Sequence, residues 1–114
     1  NPTSSTKNII HTKNTTFIID SSDTVKSYDG VKGDILWVLE DLKLRQLTSP
    51  KKYKNYIISG DYEGYLHFID LNTGLIEGRT RPSRQAVKEV FVYKDIFFSL
   101  DDSGRISALK FKWL

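Results

Sequence analysis

The chain contains no cysteine, so disulfides, thiolate nucleophiles and cysteine-based zinc sites are excluded. Alanine is almost as scarce, with only Ala86 and Ala108 among 114 residues. No apolar run approaches the ~18 residues that a membrane-spanning helix needs. No long stretch carries apolar residues at i, i+3, i+4 and i+7, so the amphipathic-helix pattern is missing too. Signatures of chemistry are equally thin. There is no Gly-x-Ser-x-Gly elbow, no Gly-x-Gly-x-x-Gly loop and no Walker-type loop. The two histidines, His11 and His67, stand in no ligand spacing. The chain opens on Asn1-Pro2-Thr3 rather than on methionine, and no basic-then-apolar leader follows. The expectation is a leader already removed or a start inside a longer protein.

What is present favours strands. Val, Ile and Thr together number 26 and aromatic residues make up 12%. β-branched and large flat side chains fit a pleated surface better than a helix. Hydrophobic residues at 39% and charged residues at 27% are ordinary for a globular domain, which argues against intrinsic disorder beyond the termini.

The sequence also repeats itself. Asp61-Tyr62-Glu63-Gly64-Tyr65-Leu66 recurs 40 residues later as Asp101-Asp102-Ser103-Gly104-Arg105-Ile106. Apolar runs precede both turns, Tyr56-Ile57-Ile58 and Ile96-Phe97-Phe98. A further copy lies upstream at an offset of 41, where Phe17-Ile18-Ile19-Asp20 leads to Val25, Tyr28 and Asp29. Three repeats follow, at approximately 8–41, 46–80 and 86–114 of a single unit covering 1–114. In the second repeat, strands are expected near Leu47–Tyr53, Tyr56–Gly60, Tyr65–Asp70 and Leu75–Arg79. Gly64 and Gly104 suit the tight turns, and Asn72-Thr73-Gly74 makes another. Four short strands every ~40 residues is the spacing of a propeller blade. A β-sandwich also has short strands, but it gives no reason for one turn to recur at a fixed period. The fold class expected is all-β, a partial β-propeller of about three four-stranded blades, the last incomplete. That third repeat stops at Lys112-Trp113-Leu114 without a fourth strand. Unpaired strand edges and an exposed blade face invite association, so the chain is expected to pair with a copy of itself.

Candidate chemistry weighs lightly. His67 alternates with Tyr65 and Ile69 and reads as a packed or half-exposed strand residue. Asp101 and Asp102 read as turn residues rather than catalytic acids. Asp20, Ser21, Ser22 and Asp23 lack the spacing and closing Glu of a calcium loop. The net charge is +3. Lys43, Arg45, Lys51, Lys52 and Lys54 form one basic cluster, and Arg79, Arg81, Arg84 and Lys88 form another. A solvated rim is the plain reading, ahead of an acidic partner or anionic head groups. Nucleic acid comes last, although Tyr53 and Tyr56 could stack on bases. Phe91, Tyr93, Phe97 and Phe98 are expected between blades, and Trp113 is expected either to cap the last blade or to lie exposed.

Two resemblances sharpen this picture. Ser27-Tyr28-Asp29-Gly30-Val31-Lys32-Gly33-Asp34-Ile35-Leu36-Trp37 resembles the tryptophan-docking motif of quinoprotein-type propellers, Ala-x-Asp-x-x-x-Gly-x-x-x-Trp, with Ser27 in place of alanine. The second repeat keeps Asp70 and Gly74 but has Phe68 and Gly78 at the other two positions. The structural blade motif is therefore Ser27, Asp29, Gly33, Trp37, Gly64, Asp70, Gly74 and Gly104. Leu47-Thr48-Ser49-Pro50, followed by Gly60 through Ile69, resembles the C-terminal part of the BamB family of outer-membrane assembly lipoproteins, from about Thr16 to Phe111. That resemblance implies the last few blades of an eight-bladed parent, with no catalysis and no cofactor. It implies docking on the POTRA domains of BamA and help in folding outer-membrane proteins at the periplasmic face of the outer membrane. The parent would carry a lipid anchor that this cysteine-free chain lacks. The family's BamA-contacting loops align upstream of Asn1, so no partner-binding residue is transferred. The alternative is a fragment of a quinoprotein-type propeller enzyme, or of an unrelated propeller interaction module.

Overall fold

A computed structural model describes residues 6–110. These form eleven strands and no helix. The first sheet holds β1 (Thr6–His11), β2 (Thr15–Asp20), β3 (Val25–Asp29) and β4 (Ile35–Leu39). The second holds β5 (Lys51–Tyr53), β6 (Tyr56–Gly60), β7 (Leu66–Asp70) and β8 (Ile76–Thr80). The third holds β9 (Val87–Tyr93), β10 (Ile96–Asp101) and β11 (Ile106–Lys110). Every strand pairs antiparallel with its neighbour in sequence, so each sheet is a simple meander. The architecture is that of three consecutive propeller blades, the third with three strands among the described residues.

Two apolar cores hold the blades face to face. Between the first and second lie Phe17, Ile19, Val25, Leu39, Ile57 and Ile69, roofed by Leu42 and Leu47 from the linker. Between the second and third lie Tyr53, Ile58, Leu66, Phe68, Val87, Val90 and Phe97. The alternation of β-strands explains why both cores draw on the second sheet. Ile57 and Ile69 point one way, and their neighbours Ile58 and Phe68 point the other. Rings in the second core meet edge to face, Tyr53 on Phe97 and Phe68 on Phe97, each with centroids 5.3 Å apart.

Three details differ from the sequence expectations. β5 begins at Lys51, not Leu47. Residues Leu47 and Thr48 are instead spent on the linker, where the Thr48 amide donates to Gly60 O at 2.9 Å and Leu47 packs into the first core. Phe91 and Tyr93 do not lie between the described blades, being 42% and 63% exposed. The face of β9 that meets the second blade is supplied by Val87 and Val90, which fit beneath the rings of Tyr53, Phe68 and Phe97. Phe98 lies opposite Phe91 on the same outer face, half-buried. Trp113 falls outside the described residues.

Candidate interaction sites

Aspartates organise the blade turns in two tiers. The first tier joins the second and third strands of each blade. Asp20 Oδ1 accepts the amides of Ser22 and Thr24, Asp61 Oδ1 those of Glu63 and Tyr65, and Asp101 Oδ1 those of Ser103 and Arg105. The residue three positions on adopts a positive φ in each case: Asp23 at 65°, Gly64 at 95° and Gly104 at 91°. In the first blade an aspartate thus stands where the others have glycine, and its side chain is put to use. Asp23 accepts the amides of Gln46 and Leu47 at 3.0 Å each, which fixes the linker between the first two blades.

The second tier joins the third and fourth strands. Asp29 Oδ1 accepts from Val31 and Lys32, and Asp70 Oδ1 accepts from Asn72 and Thr73. Gly33 and Gly74 close these turns at φ 78° and 76°, donating to Asp29 O and Asp70 O. Trp37 links one blade to the next. Its indole Nε1 donates to Leu71 O at 3.0 Å, 34 residues along the chain. Its ring lies flat on Gly74, where a Cβ would stand 2.5 Å from Trp37 Cδ2. Ser27 is fully buried opposite Trp37, and its hydroxyl has no hydrogen-bond partner among the described residues.

The second blade carries a charged node that sequence reasoning missed. Asp61 is completely buried, and its remaining oxygen, Oδ2, accepts from Arg45 Nε at 2.9 Å and from His67 Nε2 at 2.7 Å. Arg45 reaches on to Glu63 at 2.9 Å. Donation from Nε2 fixes the His67 tautomer and leaves Nδ1 buried without a partner among the described residues. Burial pushes the Asp61 carboxyl up, but the bonds from His67, Tyr65, Arg45 and Glu63 outweigh it and hold the group below 3.8. Burial pushes the His67 imidazole down from 6.5, and the Asp61 carboxylate offsets only part of this. His67 is therefore a neutral ring tying β7 to the turn before it. The only sequence signal was Asp61 itself, since Arg45 and His67 come together through the fold.

The first basic cluster disperses once folded. Lys43 pairs with Glu40 at 3.7 Å, Arg45 joins the node, and Lys51 lies 4.0 Å from Glu89 and donates to Val90 O. Tyr53 is buried and donates its hydroxyl to Asp95 O at 2.6 Å, so its ring is closed to base stacking. Tyr56 packs at the edge of the second core and donates to Glu77 at 3.3 Å. In the second cluster Arg79 and Arg81 both stand over the Tyr65 ring, 5.3 Å and 4.8 Å from its centroid. Beside them an open cleft of about 400 Å³ runs between the linker and β8, bounded by Asp41, Leu42, Arg45, Glu77 and Arg79. Its acids and cations alternate, so it offers no converging set of one charge. Among the described residues no three His, Asp or Glu side chains are placed to share a cation.

Comparison with known proteins adds the following. No family model matches the chain. It is 37% identical over 94 residues to the outer membrane protein assembly factor BamB of Shewanella oneidensis, covering 82% of this chain and 24% of that one. It is 30% identical over 108 residues to BamB of Legionella pneumophila, covering 95% and 28%. The chain thus spans about a quarter of the length of the curated relatives it matches. Among solved structures, BamB of Moraxella catarrhalis superposes with a TM-score of 0.83 at 24% identity, covering 91% of this chain and 32% of that one. The RRP9 WD40 repeats superpose at 0.80 with 12% identity, covering 96% of this chain and 36% of that one.

Proposed function

The chain is a BamB-like propeller segment resembling the C-terminal part of BamB, and from that premise we propose that it serves outer membrane protein assembly as a non-catalytic scaffold. The observation that carries this reading is the 37% identity extending over 82% of the chain. The geometry supports a rigid platform. Paired aspartates lock the hairpin turns, Asp29 with Gly33 and Asp70 with Gly74, and Trp37 joins the first blade to the second through Leu71 O and Gly74. Gly64 and Gly104 hold the complementary turns. Such a platform presents its rim loops to a protein partner, and the partners that follow are the POTRA domains of BamA and unfolded outer-membrane proteins. The setting is the periplasmic face of the outer membrane, with the parent held there by a lipid.

The test is a graft. The chain replaces its matching quarter of the Shewanella BamB in cells lacking their own copy, and the level of β-barrel proteins in the outer membrane is measured. Restoration to near the normal level is expected. A hybrid that accumulates stably yet leaves that level at the deletion value overturns the assignment.

A further inference from the structure

Four exposed cations, Arg79, Arg81, Arg84 and Lys88, follow one another from the end of β8 into β9, with no acidic residue among them. The fold draws two of them together. Arg79 stands opposite His67 across the β7–β8 pair, Arg81 follows two residues on, and both guanidinium groups reach the Tyr65 ring. Like charges this near repel, so something must hold them. The face of the ring attracts each cation, and Glu63 O fixes Arg81 by accepting from its Nε at 2.9 Å. The support is stiff. A Cβ on Gly64, beside Tyr65, would collide with Ser83 O, and the Val87 amide donates to Asp61 O at 2.9 Å, so turn and linker pack on each other. The positive charge is left over. Glu63 pairs with Arg45 at 2.9 Å, Glu77 accepts from the Tyr56 hydroxyl at 3.3 Å, and Glu89 lies 4.0 Å from Lys51. Among the described residues no carboxylate pairs with Arg79 or Arg81.

We infer that Arg79 and Arg81, held over Tyr65, are a docking point for the carboxylates of an acidic segment on a protein partner. Arg81 spends only its Nε on the protein and keeps both terminal nitrogens, while Arg79 keeps its whole fork. Two planar forks on a fixed support match carboxylate groups in geometry as well as charge, and little side-chain freedom remains to be lost on binding. Arginine and tyrosine are also the residues that protein contacts favour, whereas attraction to a charged membrane would be served as well by lysine. Arg84 extends the positive surface. Asp102 approaches its far end, with its amide on Ala86 O, so the pair and not Lys88 is the centre. The docking point deepens the scaffold reading and rests on it for its use in the cell, but its chemistry belongs to the chain alone.

The experiment is fluorescence anisotropy of a labelled peptide of alternating glutamate and serine, titrated with the chain. A glutamine-for-glutamate peptide and phosphatidylglycerol vesicles are run beside it. The chain is expected to bind the acidic peptide, more weakly as salt rises, and to leave the neutral one free. Arg79→Gln with Arg81→Gln is expected to weaken binding about tenfold or more, and Arg79→Lys with Arg81→Lys about threefold although the charge is kept. Arg84→Gln with Lys88→Gln should cost about twofold. Lys13→Gln with Lys32→Gln removes the same net charge from the exposed turns of the first blade and should change nothing. Near-UV circular dichroism identifies the folded variants, and the lysine pair tests the forks without loss of charge. A chain that ignores the acidic peptide overturns the inference. So does an equal loss in the Lys13 and Lys32 variant, which would mean diffuse charge, or tighter binding to the vesicles than to the peptide, which would mean a membrane surface. None of these outcomes alters the result of the graft, and a graft that fails leaves the titration standing.

Discussion

Ser27 shows how one atom can work against a fold. A buried hydroxyl without a partner costs about 1–3 kcal/mol, and alanine removes that oxygen while keeping the Cβ in place. Ser27→Ala is expected to stabilise the chain by about 1 kcal/mol, read as a higher urea midpoint. Gly74 works the other way. A methyl group there would collide with Trp37 in a backbone of φ 76° that side chains resist, so Gly74→Ala is expected to cost about 2 kcal/mol or more in the same measurement. The turn residues were legible because an acceptor followed by a residue of positive φ is local chemistry, written in five or six consecutive letters. The node was not, because Arg45 meets Asp61 from a linker whose path depends on Asp23. His67 sets a pH dependence. Its folded pKa lies below 6.5, so the unfolded chain takes up a proton that the folded one resists, and stability falls as pH drops below about 6.5. A second loss follows below 3.8, where Asp61 and Asp101 stay ionised in the fold, Asp101 down to about 2 because Ser103 and Ser83 hold its charge. Urea midpoints measured at pH 8, 6 and 5 should decline for the native chain and stay nearly level for His67→Gln.

Among the elements, β7 and β11 are counterparts with different fates. β7 is paired on both sides, by β6 and β8, whereas β11 is paired by β10 alone among the described residues. Lys110 stands near the end of that open edge, 3.8 Å from Asp95, and a charge there discourages further strand addition. Alternate amides of β11 should exchange with solvent far faster than any amide within β7, in hydrogen exchange followed by NMR. Uniform protection along β11 would mean that its edge is covered. The alternation within β6 and β7 was readable from the repeat, and both strands fall within a residue of their expected bounds. The orientation of β9 was not. Its aromatic residues suggested a core strand, since alternate positions on adjacent strands pack between sheets, but a register shift between Leu100 and Asp101 brings Val87 beside Val90 on the inner face.

At the scale of the molecule, the second blade is shared by both cores, while the first and third each contribute to one. Stability then resembles that of a stack, a sum of blade and junction contributions, not one indivisible core. Phe97→Ala empties the centre of the second junction, where it touches both Tyr53 and Phe68, and should cost about 3–5 kcal/mol. Hydrogen exchange should then show β9 to β11 opening while β2, β3 and β4 keep their protection. Loss of protection everywhere at once would mean a single cooperative unit. The period of about 40 made the stack visible in the sequence.

The strictly sequential pairing of strands has a bearing on time. Each sheet can close over short turns as soon as its own residues exist, so no blade waits for distant chain to arrive. Trp37 is one exception, because its indole does not meet its acceptor until Leu71 is in place. Its emission therefore marks the moment when a blade formed early is clasped by one formed later, and a growing chain carries its own clock.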